Sequence, residues 1–397
     1  MRIVDISEFF SDHGGGVRIY VHQKLEAYAK AGIEAAIIAP GAEDRREARS
    51  GGEIIWVRSP TLAFDHRYHL FGRAQPVFDL LDELKPHILE ASSTWRGGWI
   101  AARWRGDAKK PALKSLFLHQ DPVAVYPHSL FSPFIDESRL DRVFSWFWEY
   151  LRRLSDHFQS IVVGSNWFAS RLKQNGVGDP TVIPLGVEKN LFLPEKRSEQ
   201  TRRMMLNTCG IDDPTATLFM AVSRHHPEKR LPVLIDAFRQ FSAKEKAGLY
   251  LVGDGPSWRT IKQRARSCGG VKVAGVIKDR IELATQMASA DYFIHGGAAE
   301  TFGLVVAEAL SAGIPFLAPH LGGASDFAND AYSETYRAGD SSSCFAAMQR
   351  ITARNRTSMA KAASDASQII SSPQIHFDRL INHFETILDN RGQRLAA

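Results

Sequence analysis

Short apolar runs alternate with helical patterns along nearly the whole chain, and this alternation restricts the fold more than any other feature. After most runs comes a segment in which apolar residues recur every three or four positions, as on one face of a helix. Strands that are joined by helices run parallel, and a parallel sheet is covered by helices on both faces. The order therefore predicts an α/β protein with two doubly wound halves. The predicted strands are residues 3–6, 34–39, 53–57, 87–91, 113–118, 160–164 and 181–184 in the first half, and 218–222, 248–252, 271–273, 290–294 and 315–318 in the second.

A polar stretch divides the two halves. Residues 188–203 lack an apolar period, and we expect them to form a linker. The predicted domains are residues 1–187 and 188–372. A C-terminal segment, residues 373–397, contains a last amphipathic helix.

Composition excludes several classes of protein. The sequence has 397 residues, and no stretch approaches the roughly 18 apolar residues of a membrane-spanning helix. The net charge of +5 favours anionic ligands, but Arg45 and Arg46 form a pair and not the basic tract of a nucleic-acid-binding protein. The N-terminus lacks the pattern of a signal peptide, and the three cysteines show no metal-ligand spacing. We therefore expect a cytoplasmic protein with reduced cysteines that does not bind nucleic acid.

Glu300 and Glu308 stand eight positions apart across a predicted junction of strand, loop and helix. In a continuous helix eight residues rise about 12 Å, too far for the pair of carboxyl groups about 5–9.5 Å apart that a glycosidase needs. With Glu300 in the loop, both can bind one elongated ligand, and the backbone N–H groups of residues 302–304 form an anion site between them. This order suits a sugar, a pyrophosphate and a ribose. A surface glutamate and a helix glutamate without a joint role explain the spacing equally well.

Three further groups of candidate residues follow strands of the second half. Arg224 and Lys229 come after its first strand and can neutralise a pyrophosphate. Gly253 lies in a turn after the next strand, and Val276 and Ile277, after the third, can pack against a base. Because the carboxyl ends of parallel strands meet at one edge of a sheet, we expect all of them to line one cleft with the glutamate loop.

Two features of the first half also lie at strand ends. In the glycine turn at residues 14–16, Gly15 and Gly16 would let the backbone approach a ligand closely. This turn is not the dinucleotide-binding fingerprint, because Ile19 occupies the place of the third glycine. His119 stands directly beyond a strand, where open α/β sheets bind ligands, although a structural role is more usual for one histidine of 14.

Residues 123–157 are the most aromatic part of the chain, with arginines interleaved, and residues 139–157 are predicted to form one helix. Three interpretations fit this composition. The helix can belong to a core that needs bulky side chains, contact a second subunit, or present an apolar and basic surface to an anionic lipid leaflet.

Together these motifs resemble glycosyltransferase family 4, whose members are retaining enzymes of the GT-B fold. The chain departs from the usual pattern at Ser223 and Arg230, where glycine is frequent, at Thr301, where glycine or serine is common, and near Asp326, where a glutamate is usual. These departures leave the donor open. The matching residues extend over nearly the whole chain and are Glu300 and Glu308 with Phe302, Gly303 and Leu304 between them, Arg224 with Lys229, residues 252–256, residues 321–323, residues 14–16 and residues 119–121.

The resemblance implies two Rossmann-like domains that face each other across a cleft, with a C-terminal helix that crosses back to the first domain. It also implies the transfer of a hexose from a UDP- or GDP-sugar to a hydroxyl of a glycan, lipid-linked or small-molecule acceptor. Configuration would be retained by front-face attack, and neither a metal nor another cofactor would be needed.

The resemblance further implies roles for the candidate residues. Four would act in catalysis, by stabilising the leaving diphosphate or by contacting the donor sugar: Arg224, Lys229, Glu300 and His119. The wider donor site would hold the diphosphate, ribose, base and sugar with Gly15, Gly16, Arg224, Lys229, Gly253, Val276, Ile277, Glu300, Phe302, Gly303, Leu304 and Glu308.

The acceptor side is harder to infer from the sequence. Ser93, Trp95, Tyr126 and His128 are candidates in the first-domain loops. A homodimer and a peripheral contact with an anionic inner-membrane surface are both compatible with the aromatic stretch. Two alternatives stay open: another GT-B enzyme, such as a sugar-nucleotide 2-epimerase or a phosphorylase, and a non-catalytic sugar-nucleotide-binding subunit.

Overall fold

The computed structural model of the chain contains two large sheets, each covered by helices. It describes residues 1–11, 16–62, 65–121, 123–124 and 142–396. The predicted alternation of strands and helices is confirmed in both halves. Among the described helices, none combines the length and the apolar character that crossing a lipid bilayer requires.

The first sheet is built from the N-terminal half of the chain. Its strands are β1 (Arg2–Ile6), β2 (Glu34–Gly41), β3 (Arg45–Arg49), β4 (Gly52–Arg58), β7 (Ile88–Ala91), β8 (Leu113–Leu118), β9 (Ser160–Val163) and β10 (Thr181–Val182), while β5 (Thr61–Leu62) and β6 (Asp65–His69) form a separate hairpin. The helices of this half are α1 (Gly16–Lys30), α2 (Gln75–Leu84), α3 (Arg96–Arg103), α4 (Ser145–Ser155) and α5 (Asn166–Gln174).

The second sheet follows from residue 217 onwards. Its strands are β11 (Thr217–Val222), β12 (Ala247–Val252), β13 (Val271–Gly275), β14 (Tyr292–Ile294), β15 (Phe316–Pro319) and β16 (Ser333–Tyr336). The helices are α6 (Glu199–Thr208), α7 (Leu231–Ser242), α8 (Trp258–Arg266), α9 (Arg280–Ser289), α10 (Leu304–Ser311), α11 (Ser341–Thr352), α12 (Arg356–Ala366) and α13 (Pro373–Ala396).

Both sheets reverse their winding next to their first strand. The strand orders are β10-β9-β8-β7-β1-β2-β4-β3 and β13-β12-β11-β14-β15-β16, and within these sheets every neighbouring pair is parallel except β3 with β4. The order changes direction between β1 and β7 and between β11 and β14. A switch point of this kind leaves a crevice at the carboxyl ends of the strands, where ligands of open α/β sheets bind.

Two sequence-based expectations about helices need correction. Part of the expected linker is helical, because α6 buries Met205 and Leu206 in the core of the second sheet and pairs the buried Arg202 with Asp291 at 2.7 Å. Because the charged Arg202 occupies a position on the buried face, the sequence does not show the apolar periodicity that predicts a helix. The aromatic helix is also shorter than predicted, since α4 ends at Ser155, and residues 125–141 lie outside the described part.

Helix α13 contacts the first half of the chain. Its buried residues Phe377, Leu380 and Phe384 belong to the same apolar cluster as strand and helix residues of the first sheet. The two segments that run between the halves lie side by side, because Val187 N–H donates to the Ser371 carbonyl at 2.9 Å. The domain limits at residues 187 and 372 stay predictions.

Candidate active site

Lys229 and Glu300 form an ion pair where two neighbouring strands end. Lys229 closes a short 3-10 helix, Pro227–Lys229, after β11, and Glu300 lies in the loop between β14 and α10. Lys229 Nζ lies 2.8 Å from Glu300 Oε1 and 3.3 Å from Glu228 Oε1. The fold thus brings together two predicted site residues that are 71 positions apart in the sequence.

Burial and charge act in opposite directions on this pair. Burial raises the pKa of Glu300, but Lys229 and His295 lower it by more than burial raises it. The pKa of Glu300 therefore lies below its ordinary value. Burial lowers the pKa of Lys229, but Glu300 and Glu228 outweigh it and bring the pKa to about 12. Both groups are therefore ionised at neutral pH. Glu300 can accept hydrogen bonds from hydroxyl groups, while Lys229 can attract an anion.

Glycines allow the Glu300 loop to pack closely against the turn at residues 321–323. Gly323 N–H donates to the Glu300 carbonyl at 2.6 Å, and a Cβ at Gly323 would lie 2.5 Å from the Phe302 nitrogen. Gly303 precedes α10 with a φ of +91°, which a residue with a side chain rarely adopts. The two glycine positions therefore fix the path of the loop into the helix.

The start of α10 is available to a ligand. Within the described part of the chain, the N–H groups of Phe302, Gly303 and Leu304 donate to no other residue. Such N–H groups, together with the helix dipole, favour an anion. The anion site that the sequence predicts here stays a prediction, and no described residue occupies its donors.

Glu308 faces Arg280, one turn into α10. Arg280 Nη2 lies 3.2 Å from Glu308 Oε1 and 3.2 Å from Glu188 Oε2. Burial raises the pKa of Glu308 to about 7, although Arg280 opposes this rise. Glu308 is therefore a carboxyl group that changes its charge near neutral pH.

The remaining donor-side residues lie on loops that are tied together. Gly253 N–H donates to the Gly275 carbonyl at 2.8 Å, and a Cβ at Gly253 would lie only 1.9 Å from the Ser223 carbonyl oxygen. The loops after β11, β12 and β13 are thus neighbours, as predicted. The side chains of Arg224 and Val276 are exposed at this edge, and Ile277, next to Val276 in the chain, is partly buried.

His119 brings the first sheet to the Glu300 loop. It follows β8 and stacks on Phe117, with ring centroids 4.1 Å apart. Burial, assisted by Lys24 and His376, lowers the pKa of His119 to about 3, so that the ring is neutral. The backbone carbonyl of His119 accepts a hydrogen bond from Thr301 Oγ1 at 2.7 Å. The histidine predicted from one half therefore lies next to the glutamate loop predicted from the other.

A second contact joins the halves near this point. The Asp326 carboxylate accepts hydrogen bonds from the backbone N–H groups of Asn166, at 2.5 Å, and Trp167, at 3.1 Å. These groups begin α5, where the helix dipole also favours a negative charge. In this chain the aspartate near the 321–323 turn thus links the two domains.

The other first-domain candidates differ in what the structure shows of them. Gly16 begins α1 and is exposed, and an added Cβ would meet no described residue beyond its own helix and chain neighbours within 4 Å. Ser93 is buried and its hydroxyl donates to Glu8 Oε2 at 2.6 Å, so this hydroxyl already has a partner, whereas Trp95 is partly exposed. Gly15, Tyr126 and His128 lie outside the described residues.

Sequence reasoning missed three residues of this site. His295 is buried directly after β14, and its Nε2 lies 3.4 Å from Glu300 Oε1. The strand-end rule that selected His119 would have selected His295 as well. Glu228 and Arg280 gave no signal, because a charged residue at a helix end is usually a solvated one.

Comparisons with known proteins agree with this architecture. A sequence model described as Glycosyltransferase Family 4 matches residues 14–191, and one described as Glycosyl transferases group 1 matches residues 216–354. Among solved structures, sucrose-phosphate synthase from Thermosynechococcus elongatus superposes with a TM-score of 0.77 at 18% identity, covering 98% of this chain and 99% of the other. A glycosyltransferase from Rickettsia africae gives a TM-score of 0.70 at 14% identity, with 98% and 99% covered.

Curated relatives match over most of their length. A GDP-mannose-dependent alpha-mannosyltransferase of Corynebacterium glutamicum is 27% identical over 335 residues, which cover 83% of this chain and 75% of the relative. A GDP-mannose-dependent alpha-(1-6)-phosphatidylinositol dimannoside mannosyltransferase of Mycobacterium tuberculosis is 26% identical over 320 residues, covering 79% and 78%.

Two Rossmann-like domains with a cleft at their strand ends define a GT-B glycosyltransferase that uses a nucleotide sugar. More narrowly, the chain belongs to glycosyltransferase family 4, the group 1 glycosyl transferases.

The charge of Glu308 leads to a prediction about pH. If Glu308 accepts hydrogen bonds from the ribose, its ionised form, which dominates above its pKa of about 7, binds the nucleotide more strongly. We expect the dissociation constant of the nucleoside diphosphate, measured by calorimetry, to rise about 5- to 10-fold as the pH falls from about 8 to about 6. Arg280→Gln should move this transition to higher pH, because Arg280 lowers the pKa of Glu308.

Glu308→Gln is the control for this experiment. The amide does not titrate in this range, so that binding to the variant should be weaker than wild type at high pH and nearly independent of pH. The same pH dependence in Glu308→Gln as in wild type would contradict the assignment.

Proposed function

We propose that this enzyme transfers mannose from GDP-mannose, with retention of configuration and without a metal ion, to a hydroxyl of a glycan or lipid-linked acceptor. The observation that carries the proposal is the ionised Lys229–Glu300 pair beside the N–H groups at the start of α10, which donate to none of the described residues. Together, the neighbouring loops after β11 and β14 offer a hydroxyl acceptor, a cation and an anion site, and His119 lies next to the Glu300 loop.

In the proposed reaction the bond between the anomeric carbon and the β-phosphate oxygen breaks, and GDP leaves with the bonding electrons. The acceptor oxygen forms a new bond to the same carbon from the same face. Its proton passes to the departing phosphate oxygen. Lys229, Arg224 and the α10 N-terminus stabilise the charge that develops on the diphosphate, and Glu300 holds the sugar hydroxyls. These cations supply the charge that a divalent metal provides in other transferases.

The choice of GDP-mannose rests on the relatives, since the first two matches are both described as GDP-mannose-dependent. We expect GDP-mannose to raise the melting temperature more than UDP- or ADP-sugars do in a thermal-shift panel. A larger shift with a UDP-sugar would contradict the choice of donor. Conversion of the donor sugar in the absence of any acceptor would instead favour an epimerase.

Loss of either member of the ion pair should impair turnover. Lys229→Ala removes the cation next to the diphosphate, and Glu300→Ala removes the carboxylate that holds the sugar. A single charge-assisted contact of this kind contributes roughly 2–4 kcal/mol in the transition state, so we expect kcat to fall at least about 100-fold in each variant. Steady-state assays of mannosyl transfer measure this effect.

Lys246 provides a matched control, because it forms an exposed ion pair with Asp213 in the same domain at 2.8 Å. Lys246→Ala also breaks an ion pair but lies outside the site, and its kcat should equal that of wild type. Circular dichroism shows whether Lys229→Ala and Glu300→Ala are folded. Near-normal turnover by both folded variants would overturn the proposed mechanism.

For the acceptor, we propose a lipid-linked molecule reached by peripheral contact with an anionic membrane surface at the cytoplasmic face. Helix α4 buries Phe147, Trp148 and Leu151 in the first-domain core, which agrees with the core interpretation for this face. Its opposite side leaves Trp146 63% exposed, and the adjacent Val143 is 67% exposed. Exposed aromatic and aliphatic side chains next to arginines are typical of interfacial helices.

We expect the protein to sediment with anionic liposomes at low salt and to be released at high salt. Trp146→Glu should reduce the bound fraction severalfold, whereas Ile369→Glu, at a position that is 77% exposed in the second domain, should not. If the wild type does not bind liposomes but has a larger mass in solution than Trp146→Glu, the Trp146 surface forms a dimer. The partner of this surface would then be a second subunit and not a membrane.

A further inference from the structure

Tyr20 on α1 lies between His119 and the C-terminal helix. Its ring meets the ring of His119 edge to face, with centroids 5.0 Å apart and planes at 70°. On its other side the ring contacts Phe377 of α13 at 5.2 Å. Together with the stacked Phe117, Tyr20 therefore forms part of the pocket that holds the His119 ring.

His376 fixes the hydroxyl of Tyr20. His376 Nδ1 lies 2.9 Å from the Pro184 carbonyl, and His376 Nε2 lies 3.0 Å from the Tyr20 hydroxyl. A carbonyl only accepts, so Nδ1 carries the proton and donates, which leaves Nε2 to accept from the tyrosine. Burial lowers the pKa of His376 to about 4 and keeps this single neutral form. The bond to the Pro184 carbonyl thus fixes the proton on Nδ1 of His376, and this in turn makes the Tyr20 hydroxyl the donor to Nε2.

A buried ionic cluster fixes the helix that carries Tyr20. One turn along α1, Lys24 forms ion pairs with Asp5, at 2.8 Å, and with Glu90. These carboxylates lie on β1 and β7, at the centre of the first sheet. The Lys24 ammonium lies 5.6 Å from the centre of the Tyr20 ring. The ring is thus held from α1 and the hydroxyl from α13.

We propose that Tyr20 and His376 are positioning residues for His119, so that the C-terminal helix determines where the His119 ring stands in the cleft. The inference rests on the proposed function, in which His119 contacts the donor sugar. The path from Pro184 through His376 and Tyr20 to His119 connects the segment that follows β10 with the proposed reacting centre.

The apolar side chains of α13 do not explain this arrangement by themselves. Phe377, Leu380 and Phe384 already attach the helix to the first domain. The buried His376 and the half-buried Tyr20 lose hydration, and this loss is offset only when their polar atoms are hydrogen-bonded. A second polar anchor exists on the same helix, where His383 Nε2 lies 2.8 Å from Ser160 Oγ. Among the described residues, the ring of His383 contacts the ring of Phe384 and neither Tyr20 nor His119.

The difference between these two histidines gives the test. We expect His376→Ala and Tyr20→Phe each to lower kcat about 3- to 10-fold, a decrease of the size that the loss of one hydrogen bond causes. The KM for the donor should change less than about twofold. His383→Ala removes a similar anchor from the same helix and should keep wild-type kcat. His376→Gln can donate to Pro184 and accept from Tyr20, and should recover most of the loss.

A second set of variants shows whether the effect passes through His119. In a His119→Ala background, His376→Ala should cause no further loss of kcat, because the group that it positions is gone. An additional loss of the same size in that background would overturn the proposal. Equal losses of kcat in His376→Ala and His383→Ala would also overturn it, because both histidines would then only attach the helix to the first domain.

The proposed function fails in a different way. If the wild-type protein does not transfer mannose from any nucleotide sugar, the proposed function is refuted. If the wild type is active and His376→Ala and Tyr20→Phe have the same kcat as the wild type, only the positioning role is refuted. If His376→Ala does not fold, Tyr20→Phe keeps the ring in place and carries the same test.

Discussion

The ion pair between Lys229 and Glu300 determines how the second domain presents its ligand-binding edge. Removing two charges from water is costly, and the cost is recovered only when each charge meets its partner in a fixed geometry. That geometry depends on close backbone contacts, since a Cβ at Gly296 would lie 2.3 Å from the Lys229 carbonyl oxygen. The backbones of the loops after β11 and β14 must therefore lie in close contact for the side chains to pair, and only glycine at position 296 allows this contact.

The same loop also joins the two domains. Thr301, the residue after Glu300, donates to the backbone carbonyl of His119, and Asp326 accepts from the start of α5. Both contacts use backbone groups of the first domain, so they depend on its main-chain path and not on the identity of its side chains. Side chains of the first-domain loops can thus differ while the position of the glutamate loop against that domain stays the same.

Much of the site was predictable because parallel sheets place the carboxyl ends of their strands together. This rule selected Lys229, Gly253 and His119 from distant parts of the chain and placed them with the Glu300 loop, and the structure brings these loops together. What the rule cannot predict is how side chains divide their hydrogen bonds. Ser93 stands at a strand end as expected, but its hydroxyl binds Glu8.

Helices were harder to predict where charge replaces apolar residues on a buried face. In α6, Arg202 occupies such a position because Asp291 compensates its charge, and the segment resembles a polar linker in sequence. The bridge from Glu188 through Arg280 to Glu308 also depends on three separate segments. No pattern within any one of them indicates that the others are near. The predicted role of Glu308 in donor binding stays a prediction.

The return of α13 to the first domain has a consequence for the order of folding during synthesis. Ile3 and Val21 share a core with Phe377 and Phe384, so the ribosome makes one side of this core first and the other side after the whole second domain. Domains generally fold as units while the chain emerges. The first domain must therefore keep an apolar surface of α1 uncovered throughout that interval, and the second domain, although later in sequence, can complete its core earlier.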